Sequence, residues 1–165
     1  MFRLVLIGGT LLALASSAGA NETVLSPPAS IDRIDIALMG EASQRQLPLP
    51  PISRTSCDNA GYANCRYRVG HAMEIEASGA KTDGPAATIR ARMIDERDRQ
   101  TYVLLVDLFM TRFDSLPTDR RADLVEQAAA DLNAGKNQTK LEGERTLVTL
   151  DRLHGGEMWI TVEGR

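Results

Sequence analysis

The sequence predicts an α+β fold: a single domain built on a mainly antiparallel sheet of about five strands, with one main helix packed on it. Three observations lead there. Residues 65–77 keep a period-two pattern, with Cys65, Tyr67, Val69, Met73 and Ile75 set against Arg66, Arg68, Glu74 and Glu76, the mark of a half-buried strand. From Thr118 the apolar spacing changes to that of an amphipathic helix, and near Met158 it returns to alternation. The expected order is strand, strand, strand, helix, strand, strand.

The chain opens on Met1, Phe2 and Arg3, an apolar run from Leu4 to about Ala15, and the small-residue triplet Ala18-Gly19-Ala20. This is the pattern of a cleavable secretory signal over residues 1–20, with cleavage near Ala20. The run is shorter than the ~20 apolar residues a membrane-crossing helix needs, and no later segment is long and apolar enough to span. A soluble, exported protein is expected. Arginine far outnumbers lysine, which suits a GC-rich bacterial genome and hence a periplasm or the outside medium. The formal net charge of −3 gives no general attraction for phosphates, so nucleic acid is not expected as a partner.

Residues 21–56 read as a Pro-rich extended arm or linker, because Pro27, Pro28, Pro48, Pro50 and Pro51 crowd this stretch. One island stands out. Ser30 suits the cap of a helix over Ile31–Met39, while Ile34, Ile36 and Leu38 alternate as a strand would. The α+β domain is expected over 57–165. At its start, Cys57 and Cys65 are the only cysteines, and an isolated pair in an oxidising compartment forms a disulfide. Closing so short a loop stabilises by about 2.5 kcal/mol in the chain-entropy treatment. The spacing is not the C-x-x-C of redox enzymes, and a metal site there would need further soft ligands, for which only His71 is near.

On the strand over 65–77, Cys65, Tyr67, Val69, His71, Met73, Ile75 and Ala77 fall on one face, and Arg66, Arg68, Glu74 and Glu76 on the other. A Gly/Ser/Pro-rich stretch from Ser78 to Ala86 follows. Then Ile89, Ala91 and Met93 alternate with Arg90 and Arg92. If the two strands pair, matching their apolar faces predicts Glu74 opposite Arg92, Glu76 opposite Arg90, Met73 opposite Met93 and Ile75 opposite Ala91. The apolar run Tyr102–Met110 suits either a central strand or a buried helix. Its Thr101, Tyr102, Val103 and Val106, after the charged turn 95–100, favour a strand. Thr118 then suits a helix cap, Leu124, Val125, Ala128, Ala129 and Leu132 form a stripe, and Gly135 stops the helix. Strands over 146–152 and 157–163, joined at His154-Gly155-Gly156, complete the domain.

Catalytic signatures are missing from the sequence. There is no G-x-S-x-G elbow, H-E-x-x-H pair, EF-hand loop, P-loop or dinucleotide fingerprint. His71 would oppose Asp95 at a sheet end, which could orient an imidazole for base chemistry, although a satisfied structural histidine explains it as well. His154 suits a turn. No cofactor and no metal are expected. Trp159 lies opposite Met158 and Ile160 along its strand and is a candidate contact residue, since tryptophan anchors interfaces. Arg66 and Arg68, at the disulfide end of the charged face, lack the carboxylate partners foreseen for Arg90 and Arg92 and are the other candidates. The sequence therefore points to an exported, non-catalytic protein-binding module of the bacterial envelope, using Trp159, Arg66 and Arg68, with another envelope protein as partner. Two alternatives are a small periplasmic hydrolase using His71 and an apolar-ligand-binding protein built around Tyr102–Met110.

Overall fold

The computed structural model describes residues 23–71, 73–94, 99–114, 116–153 and 156–165. Seven strands form one antiparallel sheet: β1 (Ile52–Asp58), β2 (Ala63–Val69), β3 (Met73–Gly79), β4 (Thr88–Met93), β5 (Gln138–Glu142), β6 (Thr146–Arg152) and β7 (Met158–Gly164). Their spatial order is β1-β2-β3-β4-β7-β6-β5. Three α-helices are described: α1 (Ile34–Gln44), α2 (Arg99–Phe113) and α3 (Thr118–Asn133). Sheet and helices share one apolar core. The fold is α+β, as expected, but the sheet is larger than about five strands and its order differs.

The alternation over 65–77 belongs to a hairpin rather than to one long strand. Gly70, with a left-handed φ of 55°, opens the fold-back between Val69 and Met73, which pair directly. Only glycine adopts that φ at little cost. Because partners in this register have the same parity, the apolar positions Val69 and Met73 stay in phase across the turn. The sequence rhythm therefore conceals the fold-back. The register foreseen between 73–77 and 89–93 is present: Glu74 opposes Arg92, Glu76 opposes Arg90, Met73 opposes Met93 and Ile75 opposes Ala91.

The expected strand at Tyr102–Met110 is instead helix α2. Tyr102, Leu105, Val106, Phe109, Met110 and Phe113 are buried, at helical i, i+3, i+4 spacing. Leu108 is buried as well, and α2 contacts both α1 and α3. A helix covered on several sides loses the polar stripe that would have distinguished it from a central strand. Helix α3 lies where the stripe predicts, and its end has the geometry of a Schellman cap. Gly135 (φ 85°) donates its N–H to the Leu132 carbonyl and Lys136 donates to that of Asp131. Thr118 is the first helical residue rather than the cap, which falls on Pro117; its hydroxyl accepts from Arg121.

The stretch expected as an extended arm is part of the domain. A 3-10 turn, Ile31–Arg33, leads into α1, and β1 follows. Leu25, Ile31, Ile34 and Leu38 are fully buried. The segment is tied to the β3–β4 connection through Leu25 N–H to the Ala86 carbonyl and Ile31 N–H to that of Gly84. Prolines disfavour regular structure where they stand, yet the island between them carries enough apolar side chains to be drawn into the core. The strand β5 was not foreseen. Five residues alternating as Gln138, Thr139, Lys140, Leu141 and Glu142 are a weak signal beside the helix that precedes them. Its turn into β6 is held by Asp114, 4 % exposed, whose carboxylate accepts the backbone N–H groups of Glu144, Arg145 and Thr146. Gly143 lies so close that a Cβ there would sit 1.8 Å from an Asp114 oxygen.

Candidate functional site

Strand alternation sorts the sheet into two unlike faces. Toward the helices point Tyr67, Val69, Met73, Ile75, Ile89, Ala91, Ile160 and Val162, all buried. The opposite face carries Arg66, Arg68, Glu74, Glu76, Arg90, Arg92, Trp159 and Thr161, as the registers across β2, β3, β4 and β7 require. None of these is buried. On this face the twisted sheet forms an open concavity of about 470 Å³. Its lining brings together Arg66, Arg68 and Trp159, the three residues singled out from sequence, with Arg90, Arg92, Glu74 and Glu76.

The charges are organised. Glu74 lies between two guanidinium groups, 2.7 Å from Arg92 and 3.3 Å from Arg68. The Arg92 hydrogen bond, joined by that from Arg68, holds the Glu74 carboxyl below its usual range. Glu76 lies 3.7 Å from Arg66 and accepts a hydrogen bond from Asn64. Arg66 and Arg68 were expected to lack partners; the β2–β3 hairpin supplies them, since it sets Arg66 opposite Glu76 and Arg68 opposite Glu74. The reverse holds for Arg90. It opposes Glu76 in register, yet the Glu76 carboxylate turns toward Arg66, and Arg90 makes no ion pair with any described residue.

Trp159 is half-buried at the β7 side of the concavity. The Arg92 guanidinium carbon stands 5.7 Å from its ring centroid, within cation–π reach, and its indole N–H donates to Glu157 at 3.3 Å. Charge and aromatic surface thus meet in one place.

The disulfide is present between Cys57 and Cys65, joining β1 to β2 at directly opposed positions. Its presence fits an oxidising, extracytoplasmic environment. His71 does not lie on the apolar face; it is exposed in the turn after Gly70. Asp95, its expected partner, and His154 lie outside the described residues, as do residues 1–20. Around Tyr102–Met110, Leu105, Leu108, Phe109 and Met110 are fully buried. What opens beside them is a surface groove of about 790 Å³ between α2 and α3, floored by Val103, Leu104, Ala122, Val125 and Ala129. Among the described residues no helix is long and apolar enough to cross a membrane.

Sequence reasoning passed over Arg90, assigning it to Glu76. The signal for Arg90 was present as a count: four arginines against two glutamates on one face. No protein-family model matches the chain, and searches of curated proteins and of solved structures return no match.

Proposed function

We propose that the chain is an exported, non-catalytic module of the bacterial envelope, periplasmic or secreted after cleavage near Ala20, that binds another protein through the open face of its sheet. One observation carries this reading. Arg66, Arg68 and Trp159, singled out from the sequence, line a single concavity on the sheet face opposite the buried one. Tryptophan and arginine are the residues that most often dominate interface energetics. A face left open to solvent, with a half-buried Trp set among guanidinium groups, is what such an interface requires before its partner arrives.

The test is affinity capture from the native envelope with tagged mature protein. Trp159→Ala and the Arg66→Ala/Arg68→Ala pair should each lose a stoichiometric partner that the parent retains, with thermal melts unchanged. Undiminished capture by both variants contradicts the surface named here. A second reading, apolar-ligand binding, is favoured by the groove between α2 and α3. It predicts that a solvatochromic apolar dye binds the parent and is displaced by Val125→Arg.

A further inference from the structure

The concavity on the open face does not end at Arg90. A second hollow of about 300 Å³, lined by Tyr62, Asn64, Glu76, Ser78, Thr88 and Arg90, continues it. Glu76 and Arg90 belong to both, so the two make one groove with Trp159 toward one end and Tyr62 at the other. The groove holds four arginines and two glutamates. Both glutamates are engaged, Glu74 by Arg92 and Arg68 and Glu76 by Arg66. The positive excess is centred on Arg90, which has no ion pair among the described residues.

Resting on the protein-binding reading above, we propose that this groove receives an extended acidic segment of the partner protein, with Arg90 as its central carboxylate receptor. Spacing supports an extended occupant. Arg66 and Arg68, like Arg90 and Arg92, are separated by one residue on a strand, so each pair is about 6.6 Å apart along the chain. Alternate side chains of an extended peptide repeat at the same interval. Carboxylates at every second position therefore meet guanidinium groups, which bind them by charge-assisted, often bidentate hydrogen bonds. Ser78 and Thr88, which line the groove with Arg90, add hydroxyls along the same path. A chain with a net charge of −3 does not attract acidic molecules in general; the attraction is confined to this groove. An anionic membrane surface fits less well, because a bilayer is flat, the site is recessed, and Glu74 and Glu76 stand within it.

Trp159 is the only tryptophan, so its fluorescence reports on the groove directly. The mature protein is titrated at low ionic strength with a capped ten-residue peptide of alternating glutamate and serine, with its glutamine-for-glutamate counterpart, and with phosphatidylglycerol vesicles. A saturable change is expected with the glutamate peptide, weakened about tenfold by Arg90→Ala, the loss expected for a hydrogen-bonded charge contact, and partly restored by Arg90→Lys. No saturable change, equal binding of the glutamine peptide, or indifference to Arg90→Ala overturns the inference. Arg90-dependent binding of the vesicles in place of the peptide overturns it in favour of a lipid surface. Envelope capture that is lost in Trp159→Ala but intact in Arg90→Ala overturns the acidic-segment inference while leaving the binding face standing.

Discussion

The two faces of the sheet are made by the same strands, residue by residue, yet they obey different rules. On the covered face, Tyr67, Ile75, Ile89 and Ile160 sit at 0–1 % exposure against the helices. On the open face, one position along each strand, stand Arg68, Glu76, Arg90 and Thr161. The covered face gains its stability from removing apolar surface from water, at about 25 cal/mol per Å². The open face has ion pairs whose side chains are 37–68 % exposed, and pairs in that setting contribute ~0–1 kcal/mol each. The difference separates what the domain needs in order to fold from what the proposed interface could use.

The comparison breaks first, and most severely, on the covered side. Phe109 is fully buried on α2 and lies 6.5 Å, ring to ring, from Phe113. Phe109→Ala should cost about 3–5 kcal/mol, the range for deleting a core aromatic, read as a fall in the urea midpoint at unchanged slope. A loss under ~1 kcal/mol would mean that α2 is not the centre of the core.

A smaller effect on the same side is set by pH. Burial pushes the Tyr67 phenol up to about 12, and burial raises that of Tyr102 as well. The Tyr67 hydroxyl donates to the Ile31 carbonyl. Between the ordinary value of 10.0 and about 12, the folded state keeps a proton that the unfolded chain has released. Stability is therefore full below pH 10.0 and falls as pH rises through that window. Urea midpoints at pH 9 and pH 11 should show the drop, and Tyr67→Phe should reduce it. An identical drop in the variant would remove Tyr67 from the account.

The open side should scarcely register. Glu74 has a lowered pKa, so its contribution is present above the ordinary carboxyl range and disappears as pH falls through the folded value. With 40 % of the side chain exposed, Glu74→Gln should change stability by no more than about 1 kcal/mol at neutral pH. A loss of 3 kcal/mol or so would show this ladder to be structural after all.

How much of this was legible depended on whether a residue's surroundings lay close in sequence. The β3–β4 register could be read because charge and apolarity agreed, Glu74 with Arg92 and Ile75 with Ala91. Helix α3 could be read because one side of it meets water, which preserves its stripe. Helix α2 could not, since sheet, α1 and α3 surround it and local periodicity is lost. Strand β1 was hidden behind prolines and β5 behind its shortness. The candidate site was half legible: alternation set Arg66 and Arg68 on the polar side of one strand and Trp159 opposite Met158 and Ile160 on another. That these strands share a face is seen only in the folded sheet, and the choice Glu76 makes between Arg66 and Arg90 is a side-chain contest among three strands. Only the folded sheet shows that Arg90 is the one left over.

The most direct test compares the open face with the apolar groove on the helical side. A photo-reactive phenylalanine analogue is placed at Thr161, beside Arg90 on β7, or at Val125 in the groove between α2 and α3, and each protein is irradiated in the native envelope. Cross-links to a discrete partner from position 161 and not from 125 are predicted. Cross-links from 125 alone would contradict the account and move the binding surface to the helices.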